Sequence, residues 1–76
     1  MHASAPMDVC QKLGLRVQQL RQAKGWSQDE FAHRANLHRT YVSGVERGIR
    51  NPTITVLEKL ASGLEITLSD LVALEE

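Results

Sequence analysis

The sequence predicts an all-α domain built from five short helices. Apolar residues recur at the spacing of one helix face, residues that favour helix starts and ends separate these runs, and no stretch alternates like a β-strand. A chain of 76 residues makes one domain, close to the lower size limit for a hydrophobic core. We expect that domain over residues 7–76, after a disordered arm over residues 1–6, whose small and polar side chains offer nothing to a core.

The first helix is predicted from about Met7 to Lys24. Its apolar face has four residues at i, i+4, i+8 and i+11, namely Val9, Leu13, Val17 and Leu20. Gly25 follows, and a glycine in the left-handed conformation is a common way to end a helix.

The second helix is predicted from Gln28 to about Ala35. Ser27 and Glu30 match the S-x-x-E capping box that starts a helix. Asn36 tolerates the left-handed conformation, which predicts a tight turn after the helix. The side chains expected to point inward are Phe31, Ala35 and Leu37.

The third helix is predicted from about His38 or Arg39 to Arg47, and Gly48 ends it. Val42 and Val45, three residues apart, would anchor it to the core. Two short helices joined by a tight turn, the second with polar outer side chains, are the layout that places a helix in the major groove of DNA.

Two further helices complete the prediction. The turn at 51–52 precedes Thr53, which can cap a fourth helix that has Gly63 near its end. The apolar residues of that helix are Ile54, Leu57, Leu60, Ala61 and Leu64. Thr67 and Asp70 repeat the capping pattern and predict a short fifth helix with Leu68, Leu71 and Val72.

The outer face of helix three is the candidate base-reading surface. At about 100° per residue, the residues that share it are Arg39, Thr40, Ser43, Gly44 and Arg47. The Arg39 guanidinium matches guanine O6 and N7, and Thr40 can contact a base or a thymine methyl group. Gly44 costs about 1 kcal/mol relative to alanine, so either close backbone approach to DNA or tight packing on helix two would explain it.

Residues around this face are candidates for contacts to the DNA backbone. Arg47, Arg50 and Asn51 lie at the helix end and in the following loop, where phosphate or groove contacts are expected. Tyr41 on the flank would reach a phosphate or base, or be a half-buried structural residue. Gln28 would bind a phosphate at the start of helix two, or only begin that helix.

The charge of the chain is unevenly distributed although its net value is zero. Residues 1–52 hold eight Lys or Arg and four Asp or Glu, a net charge of +4, whereas residues 53–76 hold one and five, a net charge of −4. A basic half facing DNA and an acidic half facing away would fit this split, and an ordinary solvated surface would fit it as well.

These motifs resemble a known family. The segments LRQAKGWSQDEFA and RTYVSGVERG-x-RNPT are similar to the Cro/C1-type (XRE-like) helix-turn-helix domains of phage repressors, and most closely to the controller proteins of restriction–modification operons. The resemblance covers about residues 9–72 and implies a lambda-repressor-like fold with the helix-turn-helix at helices two and three. By that similarity, the DNA contacts fall on Gln28, Arg39, Thr40, Tyr41, Ser43, Arg47, Arg50 and Asn51. It also implies a buried Arg21–Glu46 ion pair between helices one and three, and a dimer interface around helix five.

Two residues depart from the family pattern. His38 stands where a Ser, Thr or Asp cap is usual, so we expect the N-terminus of the third helix to be less stable. For the same reason, the resemblance implies no particular base specificity for this chain. Asn36 replaces the commoner glycine of the turn, a change that the left-handed conformation tolerates.

A second copy of the chain is an expected partner. One short helix makes too few base contacts for operator selectivity, and two copies reading half-sites about 34–36 Å apart would double the readout. The region of helix five is richer in apolar residues than one core needs, which predicts an interface of Ile66, Leu68, Leu71, Val72 and Leu74. The alternative is that all five cap the core of a monomer.

The expected function is therefore sequence-specific regulation of transcription by a homodimer on a pseudo-palindromic operator, as in a restriction–modification controller protein. A phage-type repressor or the antitoxin of a toxin–antitoxin pair is the alternative. Double-stranded DNA and a second copy are the expected partners, with RNA polymerase a further candidate. No run of eighteen apolar residues suggests a membrane, so we expect a soluble, cytoplasmic protein.

We expect neither catalysis nor a metal or other cofactor. The serines, acids and histidines form no nucleophile–base arrangement, and His2, His33 and His38 lack metal-ligand spacing. Cys10 is the single cysteine, so it is either a small buried residue or a redox sensor.

Overall fold

The computed structural model describes residues 7–74, and it folds them into five α-helices. The helices are α1 (Val9–Ala23), α2 (Gln28–Ala35), α3 (Arg39–Glu46), α4 (Ile54–Leu64) and α5 (Leu68–Leu71). Residues 7–74 contain no strand, which confirms the all-α prediction with its five helices. The predicted disordered arm at residues 1–6 lies outside the described residues.

Side-chain caps start four of the helices. The oxygens of Asp8, Ser27, Thr53 and Thr67 each accept a hydrogen bond from the backbone N–H three residues later. The predicted reciprocal box at Ser27 is wrong in its second half, because the Glu30 carboxylate accepts from Arg34 Nε at 2.8 Å, one helical turn away. The complete capping box lies at Asp8 and Gln11, where the sequence had not predicted one.

Left-handed residues end the first four helices. Three of them were predicted, at Gly25, Asn36 and Gly48, and the fourth is Glu65 at φ 62°. In each case the next backbone N–H donates back to the carbonyl oxygen five residues earlier, as in a Schellman motif. Gly63 lies inside α4 and is buried against α2, where an added Cβ would approach Ala35 Cα at 2.9 Å.

All five helices contribute to one hydrophobic core. Its buried members are Leu13, Val17, Phe31, Ala32, Ala35, Val42, Val45, Leu60, Ala61, Leu64 and Leu71. Two predicted core residues are exposed instead: Val9 by 64% and Ile54 by 63%. Each is the first residue of its helix, where the helix extends past the elements that would cover it.

The crossing of α1 and α3 depends on a glycine that sequence reasoning overlooked. Gly14 is buried, and a Cβ there would overlap the Val45 carbonyl oxygen and lie 2.7 Å from the Glu46 oxygen. Because only a residue without a side chain fits, α1 packs directly on the end of α3 and fixes its angle.

The predicted dimer interface needs one correction. Leu71 is fully buried and belongs to the core of its own chain, because α5 folds back and its one buried side chain points inward. Ile66, Leu68 and Leu74 are half-buried against that core, while Val72 is 42% exposed. Leu71 therefore packs within its own chain, and Val72 is the most exposed of the five predicted interface residues.

Candidate nucleic-acid interface

The segment joining α2 and α3 is a rigid turn. Asn36 adopts the left-handed conformation at φ 56° and ψ 48°, and the Leu37 N–H donates to the Ala32 carbonyl oxygen at 2.9 Å. Val42 and Val45 hold α3 to the core with at most 1% exposure. Because the turn and the core fix both ends of the motif, the opposite face of α3 is presented at a set angle.

The candidate DNA-contacting residues differ in their accessibility. Five are exposed, namely Arg39, Thr40, Arg47, Arg50 and Asn51, and three are half-buried, namely Gln28, Tyr41 and Ser43. Gly44 is buried although the helical projection placed it on the outer arc. The start of α3 has no side-chain cap, since His38 at the N-cap position makes no capping hydrogen bond, as its departure from the family pattern led us to expect.

The side chain of Arg50 lies over Gly44. A Cβ at Gly44 would lie 2.7 Å from Arg50 Cγ and 3.1 Å from its Nε, and these are the nearest atoms to it. On the side where a Cβ would lie, Gly44 is therefore covered by Arg50, which neither of the two alternatives from the sequence had included. The Arg50 guanidinium carbon lies 5.5 Å from the centre of the Tyr41 ring.

Asp29 is a polar neighbour that sequence reasoning missed. Its carboxylate Oδ1 lies 3.6 Å from Arg39 Nε, and both side chains are well exposed, at 77% and 60%. The pair joins the first turn of α2 to the first residue of α3. The sequence carries no local signal for this pair, because the distance depends on how α2 and α3 cross.

A buried ion pair ties three helices together behind the interface. Arg21 Nε and Nη2 donate to the two Glu46 carboxylate oxygens at 2.6 Å and 2.9 Å, with side-chain exposures of only 11% and 3%. Arg21 Nη1 also donates to the Trp26 carbonyl oxygen at 2.7 Å. The hydrogen bond to Glu46 raises the pKa of the Arg21 guanidinium above its ordinary value, so the guanidinium stays charged. The ion pair implied by the family resemblance is thus present.

Gln28 takes part in the same network. Its Nε2 donates to Glu46 Oε1 at 2.9 Å, which links the start of α2 to the end of α3. The sequence offered a phosphate contact or a simple helix start for this residue, and the structure adds a bond inside the chain. Glu46 therefore fixes α1, α2 and the α1–α2 loop relative to α3.

Two helices locked at a fixed angle, with the polar face of the second exposed, define a helix-turn-helix DNA-binding domain. The family model described as helix-turn-helix matches residues 17–71. The chain belongs to this family, in its Cro/C1 type, and is a DNA-binding regulator of transcription. The family is one of DNA-binding regulators and not of enzymes.

Individual relatives carry the resemblance further. Control protein C.MunI of Mycoplasma sp is 43% identical over 65 residues, covering 84% of this chain and 88% of that protein. The crystal structure of the restriction–modification controller protein C.AhdI from Aeromonas hydrophila matches with a TM-score of 0.79 and 45% identity, over 82% of this chain and 94% of that one. C.Esp1396I, solved as a tetramer in complex with its natural 35 base-pair operator, matches with a TM-score of 0.76 and 34% identity, over 88% and 97% of the two chains. The predicted similarity to controller proteins is confirmed.

Within residues 7–74, no helix has both the length and the apolar character needed to cross a membrane.

Proposed function

We propose that this chain is a restriction–modification controller protein that binds a pseudo-palindromic operator as a homodimer. The observation that carries the proposal is the exposed polar face of α3. Glu46 holds this helix at a set angle through its ion pair with Arg21 of α1 and its hydrogen bond from Gln28 of α2. The similarity to C.MunI and C.AhdI supports the choice among helix-turn-helix regulators.

Within this proposal, the exposed residues divide by the part of DNA that they suit. Arg39 and Thr40, at the start of α3, read base edges in the major groove, since recognition helices make their base contacts near their N-termini. Arg47, Arg50 and Asn51 bind phosphates or groove edges at the other end of the helix. Asp29, beside Arg39 Nε, orients the arginine and leaves its two Nη groups free for a guanine.

Replacement of Arg39 tests the base-reading role. Arg39→Ala is expected to weaken operator binding by about 1–3 kcal/mol and to relax the preference at one base pair. Competition titration of operator and random DNA at one salt concentration measures both effects. Arg34→Ala is the matched control, because Arg34 is an exposed α2 arginine paired with Glu30, and its loss should leave the base preference intact. An equal loss of affinity for random DNA in Arg39→Ala would contradict base reading.

The homodimer is proposed to form through an apolar groove near the end of the chain. The groove has a volume of about 270 Å³ and an apolar lining of Val9, Cys10, Leu13, Leu57, Val72 and Leu74. Asn51 and Pro52 also line it, so the groove borders the proposed DNA contact at Asn51. The exposed apolar residues that line it are Val9 and Val72, at 64% and 42%. A second copy on this groove would cover apolar surface that the monomer leaves open.

Val72→Asp is expected to convert the dimer to monomers, because a carboxylate would have to be desolvated in the interface. Sedimentation velocity at several protein concentrations measures the oligomeric state. Leu15→Asp is the control, since Leu15 is exposed to the same degree, at 43%, but does not line the groove. A dimer that survives Val72→Asp and dissociates with Leu15→Asp would place the interface on the Leu15 face of α1, outside the groove.

Selection of bound sequences from a random DNA pool, at a fixed salt concentration, tests the proposed function as a whole. The expected product is a pair of inverted half-sites whose centres lie about 34–36 Å apart. A single unrepeated site would contradict the homodimer, and a pool without enriched sequences would contradict operator recognition.

A further inference from the structure

Arg50 lies against the recognition helix although it belongs to the loop that follows it. The atoms closest to an added Cβ at Gly44 are Arg50 Cγ, Nε and Cδ, at 2.7, 3.1 and 3.5 Å. The guanidinium carbon of Arg50 lies 5.5 Å from the centre of the Tyr41 ring, a distance at which a cation and an aromatic ring attract each other. Arg50 is thus held between two residues of α3, one turn apart.

The end of α3 brings the loop back to this position. Gly48 has φ 77°, and the Ile49 N–H donates to the Gly44 carbonyl oxygen at 3.0 Å. This Schellman motif reverses the chain, so that the next residue, Arg50, passes beside Gly44. The hydrophobic contact that often accompanies such a motif is unavailable to Ile49, because its partner position is a glycine, and Ile49 is 65% exposed.

We infer that Gly44 is a positioning residue for Arg50: the missing side chain leaves a slot on α3 in which the Arg50 stem lies, with Tyr41 beside the guanidinium. The inference rests on the proposed function, since it assigns the docked guanidinium to the DNA backbone or groove. The sequence places Arg50 outside α3, yet the slot makes it part of the α3 surface. A preset arginine loses less side-chain freedom on binding than one in a free loop.

The effect of Gly44→Ala distinguishes this positioning role from a role in the stability of the fold. Alanine favours a helix over glycine, and the atoms in its way belong to an exposed side chain that can swing out. We therefore expect Gly44→Ala to melt at the same temperature as the natural chain or higher. The same change expels Arg50 from its slot, and operator affinity is expected to fall about tenfold, the equivalent of one hydrogen bond to a charged group.

The test is a double-mutant cycle of the natural chain, Gly44→Ala, Arg50→Ala and the double variant, with operator affinity measured at one salt concentration. Arg50→Ala alone is expected to lower operator affinity about tenfold. When Gly44 is already alanine, the same change should lower the affinity much less, because Arg50 no longer lies in its slot. Losses that multiply to about a hundredfold in the double variant would overturn the inference.

A second measurement needs no DNA and stays informative if operator recognition itself fails. The Arg50 side-chain protons, held beside the Tyr41 ring, should show a ring-current shift in the NMR spectrum of the free protein. That shift is expected to disappear in Gly44→Ala and in Tyr41→Leu and to persist in Ser43→Ala, a change at the neighbouring position. Persistence in Gly44→Ala would overturn the inference, whereas failure to enrich any sequence from random DNA would overturn only the proposed function.

Discussion

Glu46→Ala is expected to lower the free energy of unfolding by about 3–5 kcal/mol, because it leaves the Arg21 guanidinium charged and unpaired with only 11% of its side chain exposed. The same change removes the acceptor of Gln28 Nε2. A domain of 76 residues has a total stability of roughly 4–11 kcal/mol, so this variant would lose a large fraction of it. Urea titration followed by circular dichroism gives the value.

Glu30→Ala is the matched control for this prediction. Glu30 also accepts a hydrogen bond from an arginine, Arg34, at 2.8 Å, but the two side chains are 46% and 43% exposed. Solvent screens such a pair, so its loss is expected to cost less than about 1 kcal/mol. Equal losses in the two variants would show that burial of the Arg21–Glu46 pair does not determine its contribution.

Leu71→Ala is expected to destabilise the chain by about 2–5 kcal/mol, because it opens a cavity where a fully buried side chain fills the core. The helix α5 has only four residues, too few to be stable in isolation, so its position depends on this packing. Urea unfolding of the dilute protein measures the loss, and a result that is independent of protein concentration separates it from dissociation of a dimer.

Val72→Ala is the neighbouring control. Val72 is 42% exposed, so its truncation should change the stability of the dilute monomer by less than about 0.5 kcal/mol. A loss at Val72 as large as that at Leu71 would mean that both residues lie in an interface and that the monomer does not fold alone. Comparison of Leu71→Ala with Val72→Ala thus shows which of these two neighbouring residues lies in the core.

Much of the fold could be predicted because its signals are local. Ser27, Thr53 and Thr67 start helices through side chains that reach only three residues along the chain. Asn36 ends α2 through its own backbone conformation. Such features need no knowledge of distant residues, so a pattern in the sequence is enough. The left-handed Glu65 shows the limit, since glutamate carries no sequence preference for that conformation.

The candidate site was only partly predictable for a different reason. The exposure of Arg39 and Thr40 followed from the inward direction of Val42 and Val45. The contact between Asp29 and Arg39 depends on how two helices cross, and no periodicity within either helix encodes that distance.

The sequence by itself determined the helical class, the turn between α2 and α3, and the residues that resemble a controller protein. The tertiary structure alone decided that Val9 and Ile54 lie open while Leu71 is buried. It alone also decided that Arg50 covers Gly44. Periodicity fixes the direction of a side chain around its helix axis, whereas burial depends on how far the neighbouring elements extend along that axis, which only the packed chain defines.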